Sequence, residues 1–184
     1  KFEELKERAS KDALSGLLNR VTAEMYINQR LNNMSQDDMC AMFIVDIDNF
    51  KQVNDTLGHQ AGDQAIRQSA RILSSLFRAT DIVGRLGGDE FIILLSGHIS
   101  EKQVRRKGNE ICERLQLVLG NNPCITITAS VGINIASGTG LKFNELYQSA
   151  DLALYKAKER GKNGFFVKHN ESLSEGTEND DFLP

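Results

Sequence analysis

Two short apolar runs, residues 81–86 and 91–95, are separated only by Gly87-Gly88-Asp89-Glu90. A four-residue gap that opens on two glycines reads as a β-hairpin turn, which commits this part of the chain to an antiparallel pair. The rest of the sequence must then supply strands beside the pair and helices to cover it. Residues 41–47 (A-M-F-I-V-D-I) form an apolar run read as a buried strand ending in acidic residues. Downstream of His59, Ala61, Ala65, Ile66, Ala70, Leu73 and Phe77 recur at helical spacing. Val104, Ile111, Leu115 and Val118 mark a second helix. From Ile125 to Ile135 the odd positions are apolar, while Thr126, Thr128, Ser130, Gly132 and Asn134 fall between them. That alternation predicts one strand with one buried face. Phe143, Leu146, Tyr147, Ala150, Leu154 and Ala157 mark a last helix, and residues 165–167 a closing strand. The order β-α-β-β-α-β with an α-β appendage predicts an α+β, ferredoxin-like, mainly antiparallel sheet flanked by helices.

With 184 residues, 40% hydrophobic and 26% charged, the chain fits one globular domain with some overhang. A net charge of −3 argues against a nucleic-acid groove but leaves room for small phosphorylated ligands. Cys40, Cys112 and Cys124 are odd in number and far apart, unlike a disulfide framework or zinc site. Reduced thiols in a cytoplasmic compartment are expected. No apolar run approaches the roughly 20 residues of a membrane helix, and no signal peptide is visible. The chain starts at Lys1 without Met, so a longer parent with an upstream sensory domain or membrane anchor is expected. Residues 1–10, with Phe2, Leu5 and Ala9 at near-heptad spacing, read as a helical stalk or linker, or as a frayed helix end. Residues 11–168 form the domain, and the polar residues 169–184 are expected to be disordered.

Two segments carry chemistry. Asp46 and Asp48, two apart at a strand end, share a face. They suit either a hard divalent cation or a strand end turning into solvent. The hairpin tip adds Asp89 and Glu90, where glycines permit unusual dihedrals and close approach of a ligand to the main chain. If the two strands are neighbours, Asp46 and Glu90 can face one metal site, of the kind used for in-line displacement at phosphorus. An ordinary turn with solvated acids fits these four residues as well.

Residues 87–91 spell the signature of the GGDEF family, and other segments agree with its pattern. Residues 12–20 (D-A-L-S-G-L-L-N-R) are similar to the family's opening motif, with Ser15 for the usual Thr. Residues 46–51, 54–59 and 62–63 match its nucleotide-binding stretch, and residues 151–163 resemble its closing motif. The chain thus resembles a diguanylate cyclase catalytic domain, of nucleotidyl cyclase or polymerase-palm type, over roughly residues 10–168.

The resemblance implies roles. Asp46, Glu90 and the Ile47 carbonyl would hold Mg²⁺, with Mn²⁺ able to substitute. Backbone N–H groups of Asp48, Asn49, Phe50 and Lys51 would wrap phosphates. Lys51, Lys158 and Lys162 would meet the remaining phosphate charge, the last two read as i, i+4 on the final helix. Asn54 and Asp63 would read guanine, or serve only as turn and cap residues. Gly87, Gly88, Asp89 and Glu90 form the catalytic turn, with Asp89 near the attacking hydroxyl. Arg78 and Asp81 match an R-x-x-D product-binding site, to which Arg105, Arg106 or Arg114 of a second subunit could add; a helix-end salt bridge is the plainer reading. The implied partners are GTP, cyclic di-GMP and a second copy of the chain. A catalytically silent cyclic di-GMP receptor and a GTP-sensing module are the alternatives.

Overall fold

The computed structural model describes residues 9–170 and the backbone of Phe182–Leu183. In chain order the elements are β1 (Leu18–Asn19), α1 (Arg20–Asn32), β2 (Met39–Ile47), α2 (Phe50–Leu57) and α3 (His59–Leu76). There follow β3 (Ile82–Gly87), β4 (Glu90–Gly97), α4 (Glu101–Arg114), β5 (Leu117–Leu119) and β6 (Ile125–Ile127). The chain closes with β7 (Ala129–Ser137), α5 (Phe143–Glu159), β8 (Phe165–His169) and β9 (Phe182–Leu183).

The main sheet runs β1-β3-β4-β2-β7-β8-β9. Its inner four strands, β3-β4-β2-β7, pair antiparallel throughout, with α2 and α3 joining β2 to β3 and α4 joining β4 to β7. This is the ferredoxin-like α+β arrangement that the element order predicts. β2 sits at its centre and is buried on both faces, which is why it reads as an unbroken apolar run. Ala41, Phe43, Val45 and Ile47 join a core with Ala65, Ile66, Ala70 and Leu73 of α3 and Val104 and Ile111 of α4. Cys40, Met42 and Ile44 point the other way, into a second core with Ala23, Ile27 and Leu31 of α1 and Leu146, Ala150 and Leu154 of α5.

Several expectations change. The stretch from Ile125 to Ile135 is two strands, because the ladder breaks at Thr128. β6 leaves the main sheet and pairs with β5, and Val118 is an exposed strand residue there rather than part of α4. β7 is buried on both faces, since α5 lies flat against Gly132 and Asn134. Helix α1 shows no amphipathic repeat: Ala23, Ile27 and Leu31 make a narrow buried stripe while Val21, Met25 and Tyr26 are exposed. The segment expected to be disordered contributes His169 to β8, and Phe182–Leu183 pairs antiparallel with β8. Most of the expected stalk, residues 1–8, and most of the tail lie outside the described residues. None of the described helices is long and apolar enough to cross a membrane.

Gly132 decides how closely α5 approaches. A β-carbon there would overlap the Ala150 carbonyl and the backbone of Leu154. Helix backbone cannot step aside as a side chain can, so Gly132→Ala is expected to cost about 3 kcal/mol through overpacking. Denaturant unfolding of the two proteins measures this; equal midpoints would mean that the helix–strand contact is looser than described.

Candidate active site

Asp46 and Glu90 are directly opposite each other across the antiparallel pair β2–β4. The two side chains share one face of the sheet because the hairpin turn between β3 and β4 delivers Glu90 as the first residue of β4, level with the end of β2. The turn is also tied back to β2 through the Ile47 N–H, which donates to the Asp89 carbonyl at 3.3 Å. Gly87 and Gly88 have φ of 138° and 54°, and among the described residues nothing occupies the space where their β-carbons would project. The tip therefore presents bare main chain, as its glycines suggest.

Two residues without an assigned role in the sequence reading secure this tip. Arg85, largely buried, donates from Nε and Nη2 to the Gly88 carbonyl at 3.0 and 2.7 Å, and from Nη1 to Asp12 Oδ1 at 2.8 Å. The same Asp12 oxygen accepts from the Ser15 N–H and hydroxyl at 2.8 and 2.7 Å. Burial alone would push the Asp12 carboxyl up, but the bonds from Ser15 and Arg85 prevail and hold it below its ordinary value. The available signal was an arginine inside an apolar strand run, which requires a partner.

Lys158, in the last turn of α5, places Nζ 2.9 Å from Asp46 Oδ1. Even so, the Asp46 carboxyl is pushed up from 3.8 to about 6. Burial is the main cause and the charges of Asp89 and Glu90 add to it; Lys158, over a third exposed, offsets only part. Burial and Asp89 raise Glu90 in the same way. Lys158 beside Asp46, and Arg20 near Glu90, thus offset only part of the negative charge at this end of the sheet. Among the described residues no three or more carboxylate, imidazole or thiol groups gather into a metal cage. Two facing carboxylates beside a main-chain carbonyl nevertheless fit Mg²⁺, which commonly takes one or two carboxylates and completes its shell with substrate phosphates and water.

Asp48 departs from expectation. Its N–H donates to the Thr128 carbonyl at 2.8 Å, so it is not open to a phosphate. Its carboxylate turns inward, accepting from Thr128 Oγ1 at 2.6 Å, Ser130 Oγ at 2.7 Å and the Asn163 N–H at 3.0 Å. The N–H groups of Asn49, Phe50 and Lys51 have no hydrogen-bond partner among the described residues. They lead into the N-terminus of α2, a favourable end for an anion. Lys162 is not on the final helix, because α5 ends at Glu159 and Gly161, Lys162 and Asn163 all take positive φ. From that turn Lys162 Nζ reaches Asn49 Oδ1 at 2.7 Å, so it still arrives at the N-terminus of α2.

Asn54 and Asp63 stand on α2 and α3, which meet at Gly58. Gly62 lets them fit: a β-carbon there would overlap the Asn54 amide oxygen. Asp63 is half exposed with Arg67 at 3.8 Å, a contact too loose and wet to fix it. His59 is the exposed first residue of α3, as the sequence suggests. Arg78 and Asp81 lie apart from this cluster, at the opposite end of β3 from the glycine turn. The Asp81 carboxylate accepts from the Arg78 N–H at 2.8 Å, leaving an exposed guanidinium beside a cavity of about 760 Å³. Tyr26, Gln29 and Arg30 of α1 line the other side of that cavity. On α4, Arg105 and Arg106 are paired with Glu101 and Glu110 at 2.7 and 3.5 Å.

A family model described as "Diguanylate cyclase, GGDEF domain" matches residues 9–164, and the chain belongs to that family. Probable diguanylate cyclase DgcC of Escherichia coli is 37% identical over 161 residues, covering 86% of this chain and 43% of DgcC. The crystal structure of the coiled coil and GGDEF domain of DgcB from Caulobacter crescentus, in complex with c-di-GMP, superposes with a TM-score of 0.81 at 27% identity. That match covers 92% of this chain and 90% of the DgcB chain. Diguanylate cyclase SiaD of Pseudomonas aeruginosa, solved with its activator SiaC, gives a TM-score of 0.76 at 31% identity, covering 92% of this chain and 65% of SiaD. The chain thus spans less than half the length of DgcC.

Because the folded state keeps the Asp46 proton to about pH 6 and the unfolded chain loses it near 3.8, the folded state binds more protons in between. This group's contribution therefore makes stability fall as pH rises through that window. A divalent cation competes for the same oxygens, so Mn²⁺ affinity is expected to drop about tenfold from pH 7 to pH 5. Calorimetric titration at the two pH values measures the drop, and an unchanged affinity would remove Asp46 from the ligand set.

Proposed function

We propose that the chain is the catalytic domain of a diguanylate cyclase, condensing two GTP molecules into 3′,5′-linked cyclic di-GMP with release of two pyrophosphates. The observation that carries the reading is the Asp46–Glu90 pair facing one pocket, with Lys158 at 2.9 Å and an open glycine turn beside it. Asp46, Glu90 and the Ile47 carbonyl would hold Mg²⁺, or Mn²⁺ in its place. The metal, when bound, supplies neutralisation of phosphate charge and activation of the attacking hydroxyl.

The chain's own groups bind and orient the substrate. The free N–H groups of Asn49, Phe50 and Lys51 wrap the terminal phosphates, and Lys51, Lys158 and Lys162 meet their charge. Asn54 and Asp63 read guanine, Asp63 accepting from the ring N–H and amino group that adenine lacks as a pair. The bare Gly87–Gly88 main chain admits the second nucleotide closely, and Asp89 stands near its 3′-hydroxyl. In each half-reaction that oxygen bonds to the α-phosphorus of the facing GTP. The bond from phosphorus to the pyrophosphate oxygen breaks, and the hydroxyl proton is lost. One domain offers one such pocket, so two copies must face each other and catalysis follows dimerisation. Arg78 and Asp81 would bind cyclic di-GMP as an inhibitor, a reading supported by their position on the 760 Å³ cavity and by the c-di-GMP bound to DgcB. Consumption of GTP suits a cytoplasmic domain, with an upstream sensory region setting the degree of dimerisation.

Incubation with GTP and Mg²⁺ at high and low protein concentration, with chromatography of the nucleotides, tests this. Cyclic di-GMP is expected to form with a specific rate that rises with protein concentration, and Glu90→Gln to lower it at least about a hundredfold. Tight cyclic di-GMP binding without turnover, even in a protein fused to a dimerising helix, would establish a silent receptor instead. Arg78→Ala is expected to leave the initial rate within about twofold while weakening product inhibition about tenfold or more, the loss of a charge-assisted contact. Progress curves compare the two; equal inhibition would assign the cavity another role.

A further inference from the structure

Asp48 is 2% exposed, yet among the described residues no cation touches its carboxylate; the donors it accepts from there are the Thr128 and Ser130 hydroxyls and the Asn163 N–H. A buried carboxylate held only by neutral donors is costly, and it persists where the geometry it enforces matters. Its donors come from two regions: Thr128 at the break between β6 and β7 with Ser130 just inside β7, and the turn that follows α5. Asn163 is bonded covalently to Lys162, Lys162 Nζ reaches Asn49 Oδ1 at 2.7 Å, and Asn49 is the residue after Asp48. The result is a closed ring of covalent and hydrogen bonds, running Asp48, Asn163, Lys162, Asn49 and back. Lys162 and Asn163 hold φ of 65° and 46°, a left-handed backbone that two successive non-glycine residues keep only when something fixes it. Asn49, at φ 60°, takes the same conformation on the other side of the ring.

Resting on the function proposed above, we infer that Asp48 is a positioning residue: through the Asn163 N–H it fixes the turn after α5 so that Lys162 stands over the phosphate loop, and it sets the terminal-phosphate grip without touching the nucleotide. The ring also explains how one short segment carries two duties. Asp46 and Ile47 face the cation, Asn49 to Lys51 face the phosphates, and the carboxylate between them anchors both to β7 and to the closing turn.

The test is nucleotide binding in the presence of Mg²⁺, measured with GTP and with GMP, which lacks the terminal phosphates that Lys162 would meet. Asp48→Asn is expected to weaken GTP about tenfold and GMP less than about twofold, as loss of one charge-assisted contact would. In a Lys162→Met background, Asp48→Asn is expected to weaken GTP by less than about a further twofold, since coupled residues are not additive. Thr128→Val keeps the shape, removes one donor and is expected to shift GTP in the same direction by about threefold, which serves if Asp48→Asn does not fold. Equal losses for GTP and GMP, or additive losses in the double variant, would overturn the inference and leave Asp48 a purely structural group. A wild-type chain that binds no GTP would overturn the proposed function and this inference with it. GTP binding that is normal in wild type and unaltered in the Asp48 and Thr128 variants would overturn this inference alone.

Discussion

The register of β2 against β4 is the constraint on which the rest depends. Pairing Asp46 with Glu90 sets two carboxylates on one face at the end of a strand buried from Cys40 to Ile47. A slip of one residue would send one of them to the opposite face of the sheet and break the pocket. Two full cores resist that slip. Phe43 and Val45 are locked against α3 and α4, and Met42 and Ile44 against α1 and α5. Packing energy spent on the centre of the molecule thus fixes a geometry at its edge, where like charges alone would drift apart.

The proposed catalytic apparatus is assembled from segments distant in sequence, and each arrives by a different device. The glycine turn is pulled in by strand pairing and by the Ile47–Asp89 main-chain bond. Lys158 is carried by α5, whose close seat on β7 depends on Gly132 having no side chain. Lys162 comes from a left-handed turn, and Asn54 from a short helix that packs across Gly62. Small residues recur at these junctions because the elements they join must approach one another closely.

How much of this was legible in the sequence depends on the physics behind each signal. The hairpin was readable because glycines with positive φ at a strand reversal leave a chemical trace, and β2 because burial on both faces leaves an apolar run. The Asp46–Glu90 neighbourhood followed once those two strands were placed together. Helix α1 left no repeat because it buries only Ala23, Ile27 and Leu31 while exposing Val21 and Met25. The break at Thr128 was invisible because Ile125, Ile127, Ala129 and Val131 keep alternating through it, although the ladder partner changes. Lys162 kept helical spacing from Lys158 after the helix had ended at Glu159. Asp48 looked like its neighbour Asp46, and only the positions of Thr128, Ser130 and Asn163 separate a carboxylate that faces the glycine turn from one held inward by the protein.

The glycine turn is gripped from behind. Arg85 holds the Gly88 carbonyl through two N–H groups, while the outward side of Gly87 and Gly88 meets none of the described residues. Shape and stiffness at this tip are therefore governed by separate residues. Substitution at the glycines alters what can approach, whereas substitution at Arg85 or Asp12 alters how firmly the loop keeps its form and leaves the outer surface untouched. Two such independent dials let the loop be loosened or tightened without redrawing the face it presents outward.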